Sequence, residues 1–308
     1  MCPTKQEPND SIEESVGISS KSGECTGDWR EEAINGGSLK HVDLNTGTNG
    51  WASPPGDLFN LRSKNYFNKR QKSPSGDYLL KPAGVDWLRS TAKLDNVLSH
   101  SNNRIMNSLR RAQSLRSNSL KTFLFAVNLQ IPGRETHSAV FYFAAEEPIP
   151  PGSLLYRFIH GDDSFRNQRF KIVNRIVKGP WIVRKTVGNY SGCLLGKALT
   201  CNYYIGENYF EIDVDIGSSA IANAILRLTL GAVTAVTIDM GFLVEAQTEE
   251  ELPEKLIGAV RIAQMEMSSA TFVEPFPSMA QSSVPVSPKK RLGLSKVNHE
   301  KDEDSRKG

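Results

Sequence analysis

The sequence contains few cysteines for its length, and they are not spaced as metal ligands or as a disulfide framework. Of 308 residues only Cys2, Cys25, Cys193 and Cys201 are cysteine, with no Cys-x-x-Cys pair and no histidine at ligand spacing from any of them. Zinc sites need such clusters, and disulfide-stabilised domains need a much higher cysteine content. We therefore predict neither, and we expect a reducing, intracellular compartment.

Signatures of catalysis and cofactor binding are also missing. The five histidines form no His-Glu-x-x-His motif, there is no Walker loop or dinucleotide fingerprint, and residues 188–192 (GNYSG) have the serine in the wrong place for a nucleophile elbow. His160 is the one histidine with carboxylates, Asp162 and Asp163, close enough in sequence for a base, although an ordinary turn histidine is the favoured interpretation. We predict no enzyme, no cofactor and no metal site.

The charge balance and the N-terminus exclude two further classes of protein. A formal net charge of +3 is too small to indicate a nucleic-acid partner. The first residues are polar and acidic, without the apolar stretch of a signal peptide. We therefore expect a soluble cytoplasmic protein.

One apolar run is nearly long enough to cross a bilayer. Residues 220–238 (AIANAILRLTLGAVTAVTI) carry Arg227 near their centre. A charge at that depth costs about 2.5–3.5 kcal/mol on insertion scales. A buried helix leading into a strand is the favoured interpretation, and a membrane span is the alternative.

Alternating apolar residues predict a mostly antiparallel sheet. The runs at 122–131 and 139–145 flank Pro132-Gly133, which is typical of a hairpin, and those at 199–205 and 209–216 flank a short polar turn. Strands are predicted at residues 122–131, 139–145, 170–178, 181–187, 199–205, 209–216 and 236–244.

An acidic row alternates with apolar residues in the strand at 209–216. Glu211, Asp213 and Asp215 fall on one face, and Phe210 and Ile212 fall on the other. This pattern predicts a half-buried strand whose acids face water. A site for a hard cation is the alternative, although no glycine-rich calcium loop accompanies the acids.

The C-terminal part of the domain shows helical spacing. Residues 248–251 (TEEE) have capping-box spacing, and Leu252, Leu256, Ala259 and Ala263 then recur on one helical face. The predicted fold class is α+β: a mostly antiparallel β-sheet covered by the apolar helix and by this long C-terminal amphipathic helix. Disordered tails are predicted at 1–40 and 273–308, around one domain at 41–272, because the tails show no apolar period.

Many collinear segments resemble the C-terminal domain of the plant Enhanced Disease Resistance 2 proteins. They include residues 53–56 (SPPG), 62–66, 79–87 (LLKPAGVDW), 165–180, 187–192 and 199–215, and the resemblance covers roughly residues 45–270. It implies a regulatory domain linked to plant defence and cell-death control, and it supplies no catalytic residues. Larger members carry pleckstrin-homology and START modules upstream, for which the segment before residue 41 is too short.

The leading functional hypothesis is a non-catalytic domain that binds lipid or associates peripherally with a membrane. An apolar sheet face covered by helices encloses an acyl chain in known lipid carriers. The candidate lining residues are Phe123, Phe125, Phe141, Phe143, Phe210 and Ile212.

The segment at 104–121 has no acid and suggests a second way to reach lipid. Its candidate contacts with an anionic membrane are Arg104, Arg110, Arg111, Arg116 and Lys121. Ile105, Leu109 and Ala112 recur at helical spacing, but a solvent-exposed, partly disordered loop is the favoured interpretation.

The alternative function is a protein-interaction scaffold without a lipid ligand, regulated by kinases. Ser114 and Ser119 follow arginines at the spacing of basophilic kinase sites, and Ser287 precedes a proline. The expected partners are therefore phospholipid or a membrane surface, and regulatory kinases. The basic run at 289–291 makes a nuclear location the less favoured alternative.

Overall fold

Two six-stranded sheets face each other across a hydrophobic core in the computed structural model, which describes residues 29–115, 122–188 and 190–275. The helices are α1 (Trp29–Asn35), α2 (Tyr66–Lys69), α3 (Arg104–Leu115), α4 (Leu154–His160), α5 (Asp163–Arg169), α6 (Trp181–Val187), α7 (Leu195–Ala198) and α8 (Ala220–Leu230). The strands are β1 (Lys40–His41), β2 (Gly50–Ala52), β3 (Asn60–Arg62), β4 (Lys72–Pro74), β5 (Lys81–Ser90), β6 (Phe123–Ile131), β7 (Thr136–Ala145), β8 (Phe170–Lys178), β9 (Tyr190–Leu194), β10 (Thr200–Ile205), β11 (Tyr209–Asp215), β12 (Thr237–Val244), β13 (Leu256–Ala263) and β14 (Thr271–Phe272).

The strand order shows that each sheet combines distant parts of the chain. The first sheet has the order β1-β2-β13-β12-β8-β9, and the second has the order β10-β11-β6-β7-β5-β14. Only the pairs β1–β2, β11–β6 and β14–β5 are parallel among the described strands; all other pairs are antiparallel. The α+β class and the mostly antiparallel character are therefore confirmed, and so is the β6–β7 hairpin.

Phenylalanine rings fill the middle of the space between the sheets. Phe242 of the first sheet lies 5.5 Å from Phe141 and 6.0 Å from Phe143 of the second sheet, measured between ring centroids. Phe125 and Phe210 lie 5.4 Å apart on the neighbouring strands β6 and β11. All five rings, which we call the aromatic layer, are fully buried. Each contributes about 1.5–3 kcal/mol of burial free energy.

The predicted C-terminal amphipathic helix is wrong. Leu256–Ala263 is strand β13, which pairs with β12 and β2 and has every residue buried. A short, continuous apolar run fits a buried strand and a buried helix equally well, so periodicity does not distinguish them. The capping box between Thr248 and Glu251 does form, but around a 3-10 turn at Glu249–Glu251.

Two further segments differ from their sequence-based predictions. Residues 181–187 form helix α6 instead of a strand, with Val183 buried on its inner side. Residues 29–40 were predicted to be a disordered head, but they form α1 and the start of β1 because Trp29 and Ala33 are buried against the domain. Residues 1–28 and 276–308 lie outside the described residues.

The acidic row is buried instead of solvated. Glu211 and Asp213 are inaccessible to water, and the backbone N–H groups of residues 96–98 donate to their carboxylates at 2.8–2.9 Å. The Asn128 side-chain amide donates to Asp213 at 3.0 Å. Asp215, at the end of the strand, is partly exposed and pairs with Lys93. The row therefore ties the segment at 96–98 to the outer face of the second sheet.

Burial also changes the protonation of this pair. Desolvation raises the pKa of Glu211, and desolvation together with the neighbouring Glu211 raises the pKa of Asp213 well above its ordinary value. The folded state therefore holds protons that the unfolded chain releases. Stability is expected to fall as pH rises from the ordinary carboxyl pKa of about 4 towards the raised values of the folded state.

Asp213→Asn tests this pH dependence. The amide imitates a protonated carboxyl, so we expect the loss of stability with rising pH to become shallower than in the wild type. Urea unfolding at a series of pH values above 4 measures it. Asp215→Asn, on the same strand, should keep the wild-type dependence. An unchanged slope in Asp213→Asn would contradict the assignment.

Candidate functional site

An apolar cavity of about 320 Å³ lies between the two sheets and beneath α8. Side chains of both sheets and of the helix form its walls. The sheets contribute Trp87, Leu129, Ile131, Ala139, Phe141, Ile172, Asn174, Ile238, Met240 and Ile262, and α8 contributes Ala222, Ile225, Leu226, Thr229 and Leu230. We call this space the apolar cavity.

Helix α8 is the roof of the apolar cavity. Ser219 caps it by accepting a hydrogen bond from the Ala222 N–H at 3.3 Å. A helix leading into strand β12 was predicted correctly, but the helix is not buried: none of its residues is fully covered, and Ile221 is 76% exposed. Its side chains Leu226 and Leu230 pack against the hydrophobic core but are only partly buried. Among the described residues, no helix is long and apolar enough to cross a membrane.

Two buried polar atoms belong to residues of the cavity wall. The indole Nε1 of Trp87 and the Oδ1 of Asn174 have no hydrogen-bond partner among the described residues. Buried polar groups in native proteins are nearly always paired, and an unpaired one costs about 1–3 kcal/mol.

Most of the predicted cavity-lining residues belong to the filled core. Phe125, Phe143, Phe210 and Ile212 are buried in the main hydrophobic cluster, partly buried Phe123 packs against it, and none of these five lines the apolar cavity. Phe141 alone of the six lines it. Phe125, Phe141, Phe143, Phe210 and Ile212 are fully buried, and the four phenylalanines among them belong to the aromatic layer that fills the core.

The predicted basic segment begins with a helix that packs on the domain. Residues 104–115 form helix α3, which buries Ile105 and Leu109. The helical spacing therefore predicted this segment correctly, and the favoured interpretation as a solvent-exposed loop is wrong for it. The Arg104 guanidinium donates to Asp86 at 2.7 Å and also bonds to the Ala33 carbonyl. Arg104 is therefore a structural residue and does not face a membrane.

The other predicted membrane contacts are only partly available. Arg111 pairs with Glu32 of α1, while Arg110 is exposed and contacts Asn107. Arg116 and Lys121 lie outside the described residues. Of the three described cations, Arg104 and Arg111 are paired with carboxylates, so these three do not form one free basic surface.

Of the candidate phosphorylation sites, the structure describes only one. Ser114 is exposed near the end of α3, and its hydroxyl donates to the Arg111 carbonyl at 2.8 Å. Ser119 and Ser287 lie outside the described residues. Ser114 thus remains accessible as a predicted kinase site.

The environment of His160 offers it no free carboxylate. Its ring lies 4.3 Å from that of Tyr156. Asp162 caps α5 with an N–H···O distance of 2.7 Å, and Asp163 pairs with Arg166 at 2.7 Å. Both carboxylates are already used in the local helix. Within residues 29–115, 122–188 and 190–275, no group of three or more His, Cys, Asp and Glu side chains is placed to hold a metal ion.

A second cavity of about 550 Å³ lies where β7 ends and β5 begins, lined by residues 78–81, 144–150 and 251–255 among others. Glu251 in its wall pairs with Arg157 and Arg169, both at 2.6 Å. Burial acts to raise the pKa of Glu251, but hydrogen bonds from the Gln247 backbone and from the two arginines outweigh it and lower the pKa to about 2. This carboxylate stays ionised and paired, which suits a structural role.

Sequence reasoning missed the inward face of α8 and the two unpaired polar atoms. The signal for the helix was present: residues 220–230 are mostly apolar, follow a serine cap and lead into a strand. A mostly apolar helix next to a sheet is expected to turn its apolar side towards that sheet. No local pattern distinguishes Trp87 or Asn174 from other strand residues.

Comparison with known proteins agrees with the resemblance carried by the collinear segments. The sequence model of the family described as Protein ENHANCED DISEASE RESISTANCE 2, C-terminal, matches residues 51–266. A curated Arabidopsis thaliana protein named "Protein ENHANCED DISEASE RESISTANCE 2-like" is 44% identical over 236 residues, which cover 76% of this chain and 31% of that protein. The chain thus spans less than a third of the relative's length, and no solved structure matches it significantly. This chain belongs to the Enhanced Disease Resistance 2 C-terminal family, as the resemblance predicted.

Proposed function

We propose that this domain is a non-catalytic regulatory domain that binds an acyl chain, or an apolar molecule of similar shape, in the apolar cavity. The observation that carries the proposal is the cavity itself: about 320 Å³ of space with apolar walls beneath a half-exposed helix. Ligand sites typically measure about 300–1,000 Å³ and combine apolar walls with few polar groups. A filled core would leave no such space.

The chemistry of the walls favours a lipid over a polar metabolite. Each methylene group moved from water to these walls contributes about 0.8 kcal/mol. Charged side chains near the cavity are few, and Asp86, which borders it, is already paired with Arg104.

Family membership suggests where such a domain acts. The Arabidopsis relative is named for enhanced disease resistance, and we extend a regulatory role in plant defence to this chain as part of the proposal. Lipid occupancy would act as the regulatory input, and kinases acting on Ser114 would provide a second one. A cytoplasmic location, with peripheral attachment to membranes, completes the proposal.

A protein-interaction scaffold is the second candidate function. It is favoured by exposed apolar side chains: Trp181 is 71% exposed and Ile221 is 76% exposed. A scaffold needs such a surface but needs no cavity. Occupancy of the cavity therefore discriminates between the two functions.

Native mass spectrometry of the full chain tests the lipid proposal. We expect a co-purified lipid at fixed stoichiometry, displaced by a fluorescent fatty acid that binds the purified protein. Ala222→Phe, which places a ring in the cavity, should weaken binding of that probe by about tenfold or more, because overpacking costs about 1–3 kcal/mol.

Ala224→Phe is the matched control, since Ala224 is exposed on the same helix and does not line the cavity. It should bind the probe as the wild type does, and a thermal melt shows whether both variants are folded. A wild-type protein without co-purified lipid and without probe binding would remove the proposal and favour the scaffold.

Hydrogen–deuterium exchange locates the ligand. Binding of the fatty acid should slow amide exchange in residues 220–236, because the ligand fills the space beneath α8 and reduces its opening. Residues 146–155, which border the second cavity, should exchange as before. Protection confined to residues 146–155 would place the ligand in the second cavity and contradict the assignment.

A further inference from the structure

Two neighbouring helices present apolar and basic side chains to solvent. Helix α6 packs its inner side chain Val183 against Ile176 and Val236, and Val187 at its end lines the apolar cavity together with α8. Their exposed large apolar and basic side chains, which we call the outer helical face, are Trp181, Ile182, Arg184, Lys185, Ile221 and Arg227.

The outer helical face carries the two most exposed large apolar side chains of the described residues, Ile221 and Trp181. Ile221 is 76% exposed, Trp181 is 71% exposed and Ile182 is 38% exposed. A single exposed apolar residue is ordinary, but exposed side chains on adjacent helices form a surface that favours an apolar contact. Tryptophan is enriched where one side of a contact is apolar and the other is wet, as at a membrane interface.

The charge of this region points to the kind of partner. Residues 164–206 and 216–238 contain no Asp or Glu, so both helices and their flanks carry only cations. Lys185 lies 5.9 Å from the centre of the Trp181 ring, and Arg184 bonds to the Gly179 carbonyl at 3.1 Å. Neither cation, nor Arg227, forms an ion pair with a carboxylate in the described part of the chain.

We propose that the outer helical face docks on an anionic bilayer, with Trp181 and Ile221 entering the headgroup region and Arg184, Lys185 and Arg227 facing lipid phosphates and carboxylates. Uniform positive charge around apolar side chains complements such a surface. The inference rests on the proposed function, because α6 and α8 are also the wall and roof of the apolar cavity. Docking brings this side of the cavity to the membrane, where an acyl chain is available.

This surface differs from the one that the sequence predicted. The predicted contacts began at Arg104 on α3, where the structure pairs Arg104 with Asp86 and Arg111 with Glu32. The cations of α6 and α8 have no such partners among the described residues, so they keep their charge available for lipid.

Vesicle sedimentation of the full chain tests docking. We expect binding to vesicles of phosphatidylcholine with phosphatidylserine, and much weaker binding to phosphatidylcholine alone. The double variant Trp181→Ala/Ile221→Ser should lower the affinity about tenfold or more, and Arg184→Glu/Lys185→Glu should do the same through charge. Leu79→Ala is the control: Leu79 is 43% exposed but borders the second cavity, so its variant should bind as the wild type does.

The solution fatty-acid probe separates docking from cavity binding. A double variant that binds the probe normally but loses vesicle binding supports the outer helical face as the membrane contact, and shows that the variant is folded.

Docking is overturned if wild-type protein does not sediment with anionic vesicles, if neutral vesicles bind equally well, or if the double variant sediments like the wild type. In the first case a protein partner becomes the occupant of this face. If the wild-type protein binds anionic vesicles but does not bind the fatty-acid probe, the cavity proposal is overturned and docking alone is supported.

Discussion

Packing of aromatic rings between the two sheets determines where the interior of this domain has space for a cavity. Facing sheets stand about 10 Å apart, a distance that large side chains from both sides fill. Here Phe242 meets Phe141 and Phe143 across that space, and all are fully buried. The middle of the sandwich is therefore closed. Open space remains where a helix, α8, covers the gap in place of rings.

The two sides of the sandwich differ in how completely their polar groups are hydrogen-bonded and their apolar side chains are buried. On the outer face of the second sheet, backbone N–H groups at 96–98 bond to Glu211 and Asp213, and Arg104 of α3 bonds to Asp86. The Glu211, Asp213 and Asp86 carboxylates there are buried and paired. Over the apolar cavity, α8 has no fully buried residue and leaves Ile221 exposed. A bound ligand or a membrane would cover the apolar surface that remains exposed on this side.

Sequence periodicity was a sound guide wherever a strand has two different faces. The β6–β7 hairpin and the β10–β11 pair were predicted because their inward residues alternate with others. Prediction failed for β13, since a strand buried on both faces has no alternation to reveal its period. It failed for α6 because β-branched residues favour strands, although a short helix needs only one apolar side chain such as Val183 to pack.

The sequence by itself determined the family, the α+β class and the inward position of residues such as Phe125 and Phe210, because these follow from local patterns and collinear segments. Only the tertiary structure decided that Glu211 and Asp213 are buried, that most inward phenylalanines fill a core, and that α8 roofs a cavity. The physical reason is that burial depends on what covers a face. The N–H groups that bury Glu211 come from Val97 and Leu98, more than a hundred residues earlier in the chain. No pattern within a single strand records a partner so distant.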